Sequence, residues 1–99
     1  MAKYIVTSEA HGDIDEIFAF ISADNFEAAI KFYDRLLEVF RMLGENPFAG
    51  RERDELREGF RGFPEGNYLV FYRKWADKIA IARVIHGARD LDDFSFEYT

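Results

Sequence analysis

The 99 residues contain no cysteine, which excludes disulfides, thiolate zinc sites, iron–sulfur clusters and thiol nucleophiles and leaves the fold to its core alone. A reducing compartment is the natural reading. Proline is scarce as well, with only Pro47 and Pro64, so breaks are few and each one locates a turn. No stretch approaches the roughly twenty apolar residues of a membrane span, and Tyr4-Ile5-Val6-Thr7 is too short for a signal sequence. A soluble cytoplasmic protein with no membrane association is expected. Basic charge is in deficit, 13 Lys and Arg against 19 Asp and Glu, a net charge of −6. The overall field therefore repels nucleic acid. No serine lies in a nucleophile motif, and Gly59, Gly62 and Gly66 have neither dinucleotide nor P-loop spacing. His11, Asp13 and Asp15 sit two apart on a helix start and point in different directions, so no metal site is expected there. Nothing in the sequence calls for a cofactor.

Aromatic side chains are plentiful: eleven Phe, five Tyr and one Trp. A disordered chain of this charge would be poor in them, and this length suits one compact domain spanning residues 1–99. Charge is unevenly placed. Residues 1–45 hold 4 basic and 9 acidic side chains, whereas residues 46–91 hold 9 and 7, which concentrates positive charge in the central half.

Tyr4 to Thr7 is β-branched and aromatic, hence a short strand, and Ser8 can cap the helix beyond it. Ile14, Ile17, Phe18 and Ile21 recur at helical spacing, predicting a helix from about Glu9 to Ala23. Asp13, Asp15 and Glu16 fall off that stripe. Asp24, with Glu27 three residues on, suggests the cap of a second helix carrying Ala29, Phe32, Tyr33, Leu36, Val39, Phe40 and Leu43 on one side. So short a connection makes the pair an antiparallel hairpin. Asn46-Pro47 ends it, and a loop runs to about Leu56. Three strands follow, Phe60 to Phe63, Tyr68 to Lys74 and Lys78 to Ile85, joined closely enough to form an antiparallel meander. The expected fold is α+β: a two-layer β-α-α-β-β-β domain with the helical hairpin packed on a small antiparallel sheet.

Within the central half, Arg57, Arg61, Arg73, Arg83, His86 and Arg89 are the candidate face for gripping another macromolecule, by charge alone. Strict alternation sets Arg83 in one row with Ile79, Ile81 and Ile85. A buried Arg there needs a carboxylate partner such as Asp90; otherwise it belongs with the other guanidiniums in an anion-gripping groove. His86 is either a general base or a structural group bonded to the turn at Gly87. Trp75, at a hairpin tip, is either a staple over the sheet edge or an anchor for a partner.

Five segments in this order resemble the ParE-like toxins of bacterial type II toxin–antitoxin modules, within the RelE/ParE superfamily. They are residues 8–21 with Asp13-Ile14-Asp15-Glu16-Ile17, Asn46-Pro47-Phe48-Ala49-Gly50-Arg51, Glu55-Leu56-Arg57-Glu58-Gly59-Phe60-Arg61, residues 63–73, and Arg83-Val84-Ile85-His86-Gly87-Ala88-Arg89-Asp90-Leu91. The resemblance implies a toxin that acts on DNA gyrase and is held inactive, in a hetero-oligomer, by a cognate antitoxin. The alternative within the superfamily is a ribosome-dependent mRNA endonuclease, for which Arg61, Arg83, Arg89 and His86 would form the cleaving cluster. Message cleavage needs an acid and a base around the scissile phosphate. Phe94 cannot transfer a proton where such nucleases tend to carry an acid/base aromatic, with Tyr98 further on, and Asp92 and Asp93 repel phosphate. A protein-directed poison without catalytic residues is the favoured expectation. Because this toxin is itself acidic, its antitoxin should dock through apolar contacts, with Phe26, Phe48, Trp75, Phe94 and Phe96 as the candidate residues.

Overall fold

The structure is a computed structural model that describes residues 3–94 and 96; Tyr98 lies outside them. Its elements run β1 (Tyr4–Val6), α1 (Ser8–Asp24), α2 (Phe26–Glu45), β2 (Arg51–Glu52), β3 (Phe60–Glu65), β4 (Tyr68–Trp75) and β5 (Lys78–His86), then a 3₁₀ turn at Leu91–Asp93. Both helices are capped one residue away from the expected position. Thr7, not Ser8, caps α1: its Oγ1 accepts the Ala10 N–H at 3.2 Å. The same hydroxyl reaches the carbonyls of Ile81 and Ala82, so the cap also ties the helix start to the sheet. Asp24 remains within α1, and Asn25 both closes that helix, through its N–H to Ile21, and opens α2, through Oδ1 to the Ala28 N–H. An exposed glycine in the second turn weakens α1, and a Cβ at Gly12 would meet nothing within 4 Å. Gly12→Ala is therefore expected to stabilise the protein by about 0.5–1 kcal/mol, read as a higher midpoint in urea with an unchanged slope.

The five strands form one sheet in the order β1-β5-β4-β3-β2. The β3-β4-β5 meander is antiparallel, as expected. Two features extend that expectation. β2 adds a two-residue edge strand inside the presumed loop, and β1 pairs in parallel with β5, Tyr4 opposite Ile79 and Val6 opposite Ile81, which makes the sheet mixed. β1 ends there, so the outer edge of β5 beyond Ile81 runs on beside α1.

Strict alternation fails in β5. Phe71 faces Arg83 but Tyr72 faces Ile81, a register shift that gives β5 one extra residue and rotates everything after it. Ile79 and Ile81 face the helices, Val84 joins them, and Ile85 turns to the opposite face with Phe60, Phe71 and Ala82. The expected row of Ile79, Ile81, Arg83 and Ile85 is thus broken at the bulge. Between helices and sheet lie Ala10, Ile14, Leu36, Val39, Phe40, Leu43, Val70 and Tyr72 together with the β5 residues. The other sheet face carries a second, smaller core, which Leu56, Leu91, Phe94 and Phe96 cover. Phe96 is buried there, its ring set edge-on against Phe60 and Phe71.

Burial along the hairpin is lopsided. In α1 it is confined to Ala10, Asp13 and Ile14, and in α2 to Ala29 and the residues from Leu36 onward. Phe32 packs on Tyr68, and Arg35 pairs with Glu65 at 2.8 Å, which marks the end of the sheet. The hairpin tip extends past it and leaves Phe20, Phe26, Ile30 and Tyr33 exposed.

Tyr72 anchors the loop after α2. Its hydroxyl accepts the Gly50 N–H at 2.8 Å and donates to the Pro47 carbonyl at 2.9 Å. Burial raises its phenol above the ordinary tyrosine value of 10.0, against the opposing pull of the Gly50 N–H and Arg61. The unfolded chain gives up this proton at the lower pH. Stability should therefore hold below about pH 10 and decline as the pH climbs from there toward the folded value. Tyr72→Phe should flatten that alkaline decline in thermal scans between about pH 9 and 12; an identical slope would refute the assignment.

Candidate functional site

Where β1 stops, the exposed flank of β5 and the side of α1 bound a cleft of about 420 Å³. Its walls include Ile17 and Phe20 from α1, Tyr68 from β4, Arg83 and His86 from β5, and Arg89 and Phe94 beyond them. The floor is an ion pair. Arg83 Nε and Nη2 each donate to an oxygen of Asp13 at 2.8 Å, and Asp13 Oδ2 also accepts the Val84 N–H at 3.0 Å. Asp13 is only 9% exposed. A carboxylate in that position stabilises the guanidinium and satisfies a strand N–H on the flank that β1 leaves open. The hydrogen bonds to Asp13 accordingly raise the Arg83 pKa above its ordinary value, against the cost of burial.

Arg83 thus has the carboxylate partner its position requires, but the partner is Asp13 rather than Asp90. Asp90 turns the other way and caps the 3₁₀ turn, its Oδ1 accepting the Asp92 N–H at 3.0 Å. Phe94 lies against both remaining cationic walls, with the Arg83 and Arg89 guanidiniums 4.9 and 5.0 Å from its ring centroid. His86 stands edge-on to Tyr68, and its Nδ1 accepts the Ala88 N–H at 3.0 Å. An imidazole that accepts at Nδ1 carries its proton on Nε2, so the nitrogen free of the turn is a donor and not a base.

The six expected cations do not share one surface. Arg83, His86 and Arg89 meet at the cleft. Arg61 lies opposite Tyr72 in the ladder, hence on the helix face, where it donates to the Gly50 carbonyl at 2.7 Å, pairs with Glu52 at 3.3 Å and lies over Phe48. Arg73 follows Tyr72 on β4 and so points to the other face, against the Trp75 ring. Arg57 is exposed in the turn before β3, its carbonyl accepting the Phe60 N–H. The aromatic candidates divide as well. Phe26, Phe48 and Trp75 are exposed, Phe48 to 77%, and Phe94 is half-buried at the cleft. Phe96 is withdrawn: its ring fills the second core, because two apolar strand residues, Phe60 and Phe71, need cover on that face.

Asp13, Ile17, Phe20 and Tyr68 are part of the site without having been candidates. One signal for Asp13 was present. It stands three residues after Ala10 and four before Ile17, inside the buried stripe, just as Arg83 stands inside an apolar strand. Two charges of opposite sign in apolar rows invite pairing.

Residues 4–91 match the family described as "ParE toxin of type II toxin-antitoxin system, parDE". Toxin ParE3 of Caulobacter vibrioides is 32% identical over 92 residues, covering 92% of each chain. Toxin ParE1 of Mycobacterium tuberculosis is 28% identical over 94 residues, covering 92% of this chain and 95% of its own. Among solved structures, one described as the chromosomal ParDE TA system from P. aeruginosa superposes with a TM-score of 0.71 at 21% identity, covering 87% of this chain and 96% of that one. That likeness concerns the fold: two helices on a five-stranded mixed sheet. With the family match spanning nearly all of the described residues, the chain belongs to the ParE toxin family of type II toxin–antitoxin systems.

Proposed function

We propose that this toxin inhibits DNA gyrase by binding it, and that a cognate antitoxin neutralises it by direct contact. The observation that carries the first half is the state of the cationic residues. Arg83 is committed to Asp13, His86 Nδ1 is committed to the turn, and Arg61 faces the Gly50 loop on a different part of the molecule. Of the cluster that an RNA-cleaving toxin would need, Arg83, His86 and Arg89 meet at the cleft but Arg61 does not join them, and a cleft walled by Phe20, Tyr68, His86, Arg89 and Phe94 suits recognition of a protein surface. Support for the second half is the solved relative, described as a toxin–antitoxin system, together with the exposed rings of Phe26, Phe48 and Trp75.

The deciding experiment adds purified toxin separately to a gyrase supercoiling reaction and to an in vitro translation reaction read by primer extension. Loss of supercoiling with gyrase-linked DNA breaks is expected, with Arg89→Ala weakening it about tenfold or more while leaving the thermal midpoint unchanged. Codon-dependent message cuts, abolished by His86→Ala, would overturn the proposal in favour of an endonuclease. For the antitoxin, apolar docking predicts that affinity survives a rise in salt through the physiological range. A collapse there would contradict it.

A further inference from the structure

The chain has four lysines, and three of them meet at one end of the sheet. Strand pairing brings this about. Tyr4 of β1 lies beside Ile79, so Lys3 stands next to the start of β5, its carbonyl accepting the Ile79 N–H at 3.0 Å. Lys74 faces Ile79 across the β4–β5 ladder, and Lys78 faces Trp75. The flanking strands stop short of this end: β3 begins at Phe60, opposite Arg73, and β1 at Tyr4, opposite Ile79. Lys74 to Lys78 therefore project beyond their neighbours as a two-stranded tip. Trp75 is 42% exposed on it, with the Arg73 guanidinium 5.1 Å from its ring centroid.

These lysines differ from the arginines. Arg35, Arg53, Arg61 and Arg83 are each held by a carboxylate, whereas Lys3, Lys74 and Lys78 enter no ion pair among the described residues. Asp77 is the one acid on the tip itself, and Glu45 at the end of α2 and Glu58 before β3 are each offset by a nearby arginine, Arg41 and Arg57. The net charge of −6 arises elsewhere. A Cβ at Gly44 would lie 3.0 Å from that of Lys3, which sets the last turn of α2 beside Lys3 and leaves Glu27, in its first turn, about 25 Å away along the axis. At physiological salt that is about three screening lengths, so the tip keeps a positive field of its own.

Shape and charge together name the occupant. A carboxylate is best gripped by the paired N–H groups of arginine; lysines are point charges without that fork and suit a row of phosphates. The tip is convex, and two strands about 4.8 Å apart with their side chains fit a major groove about 12 Å wide. We infer that the β4–β5 tip enters a groove of duplex DNA, with Lys3, Lys74 and Lys78 on the phosphates and Trp75 against the groove wall. The site lies at the far end of β5 from the cleft, about 26 Å along the strand from His86, and its test needs no gyrase.

Trp75 is the protein's only tryptophan, so its emission reports on the tip. The whole chain is titrated with a duplex of about 16 bp at about 0.05 M salt; anisotropy of a labelled duplex gives affinity, and Trp75 emission with an unlabelled one gives location. Saturable binding with a changed emission is expected. Log K should fall against log salt with a slope of about −3.5, as for four phosphates neutralised by the lysines and Arg73. Lys3→Gln/Lys74→Gln/Lys78→Gln should weaken binding about tenfold or more and flatten the slope to about −1; Lys31→Gln, at the acidic hairpin, should change neither. Circular dichroism verifies that the variants stay folded. Absence of saturable binding, an unmoved Trp75 emission, or binding undiminished in the triple variant would overturn the inference. So would tighter binding of an oligoglutamate of equal length, which would make the occupant an acidic protein segment, or of the unpaired single strand, which would put base stacking on Trp75 in place of groove entry.

Discussion

Asp13→Ala is expected to destabilise the protein by about 3–5 kcal/mol, a fall in thermal midpoint of roughly 15 °C or more for a domain of this size. The substitution removes the two Asp13 oxygens that accept from the Arg83 guanidinium and the acceptor of the Val84 N–H at once. The Arg83 side chain is only 14% exposed, so it cannot recover its hydration without moving β5 or the Phe94 ring that lies over it. The loss is therefore dominated by a buried charge deprived of its Asp13 carboxylate, not by a missing attraction. That distinction has its own test. Asp13→Leu combined with Arg83→Met replaces the pair with apolar groups and should recover most of the lost stability, because breaking a buried ion pair costs far more than deleting it whole. Midpoints from thermal scans of the two singles and the double supply the cycle. An Asp13→Ala protein within 1 kcal/mol of the parent would show that the pair contributes nothing to holding α1 against β5.

The same pair marks the boundary of what the sequence discloses. Helical spacing located α1 and α2, and turn residues located the meander, because both signals are local: a helix repeats every few residues, and Gly66-Asn67 can do little but turn, although β3 runs on through Pro64 to Glu65 beyond the expected end at Phe63. The partner of Arg83 is not local. It lies 70 positions away in sequence, and an acid at a helix start is adequately explained by the dipole, so the place of Asp13 between Ala10 and Ile17 is the one local hint of a distant guanidinium. The β5 bulge is hidden for a related reason. Lys78 to His86 reads as uninterrupted alternation, and only the pairing with β4 reveals that Tyr72 must face Ile81 while Phe71 faces Arg83. That one-residue shift moved Ile85 from the helix face to the other face and created a second core for Phe96 to fill. A surplus of aromatic residues at the C-terminal end was visible from composition. Whether they cover the protein's own sheet or await a partner depends on which strand residues point at them.

Charge clustering in sequence was a weaker guide than charge pairing in space. The central half holds most of the cations, yet Arg61 and Arg73, on neighbouring strands, project to opposite faces because Arg61 shares its face with Tyr72 and Arg73 follows Tyr72 in the strand. Interleaved acids pair with two of the central arginines: Glu52 takes Arg61 and Glu55 takes Arg53. What is left at the cleft is the Arg89 guanidinium with the His86 imidazole beside it, set among rings.

Gly50→Ala should be the other severely damaging change, at about 3 kcal/mol. A methyl group at that position would sit 2.5 Å from the Tyr72 hydroxyl oxygen and 2.7 Å from Cε1 of its ring. Neither atom can give way cheaply, since Tyr72 is 1% exposed and lies among the residues packed between helices and sheet. Its hydroxyl is bonded to the very loop that would push it. Movement of the loop instead would pull the Gly50 carbonyl from Arg61 Nη1, now at 2.7 Å, and break the anchor between the end of α2 and β3. Tyr72→Phe separates clash from hydrogen bonding. Alone it should cost about 1–2 kcal/mol for the two bonds lost. Placed under Gly50→Ala it should relieve only part of the strain, because the ring carbons remain too near. Gly12→Ala, with open space around the new methyl, should shift the midpoint in the opposite direction and serve as the control for alanine itself. A Gly50→Ala protein as stable as the parent in urea would mean that the loop can retreat freely, and the fixed position of Phe48 and Arg51 beside it would no longer follow from the Tyr72 anchor.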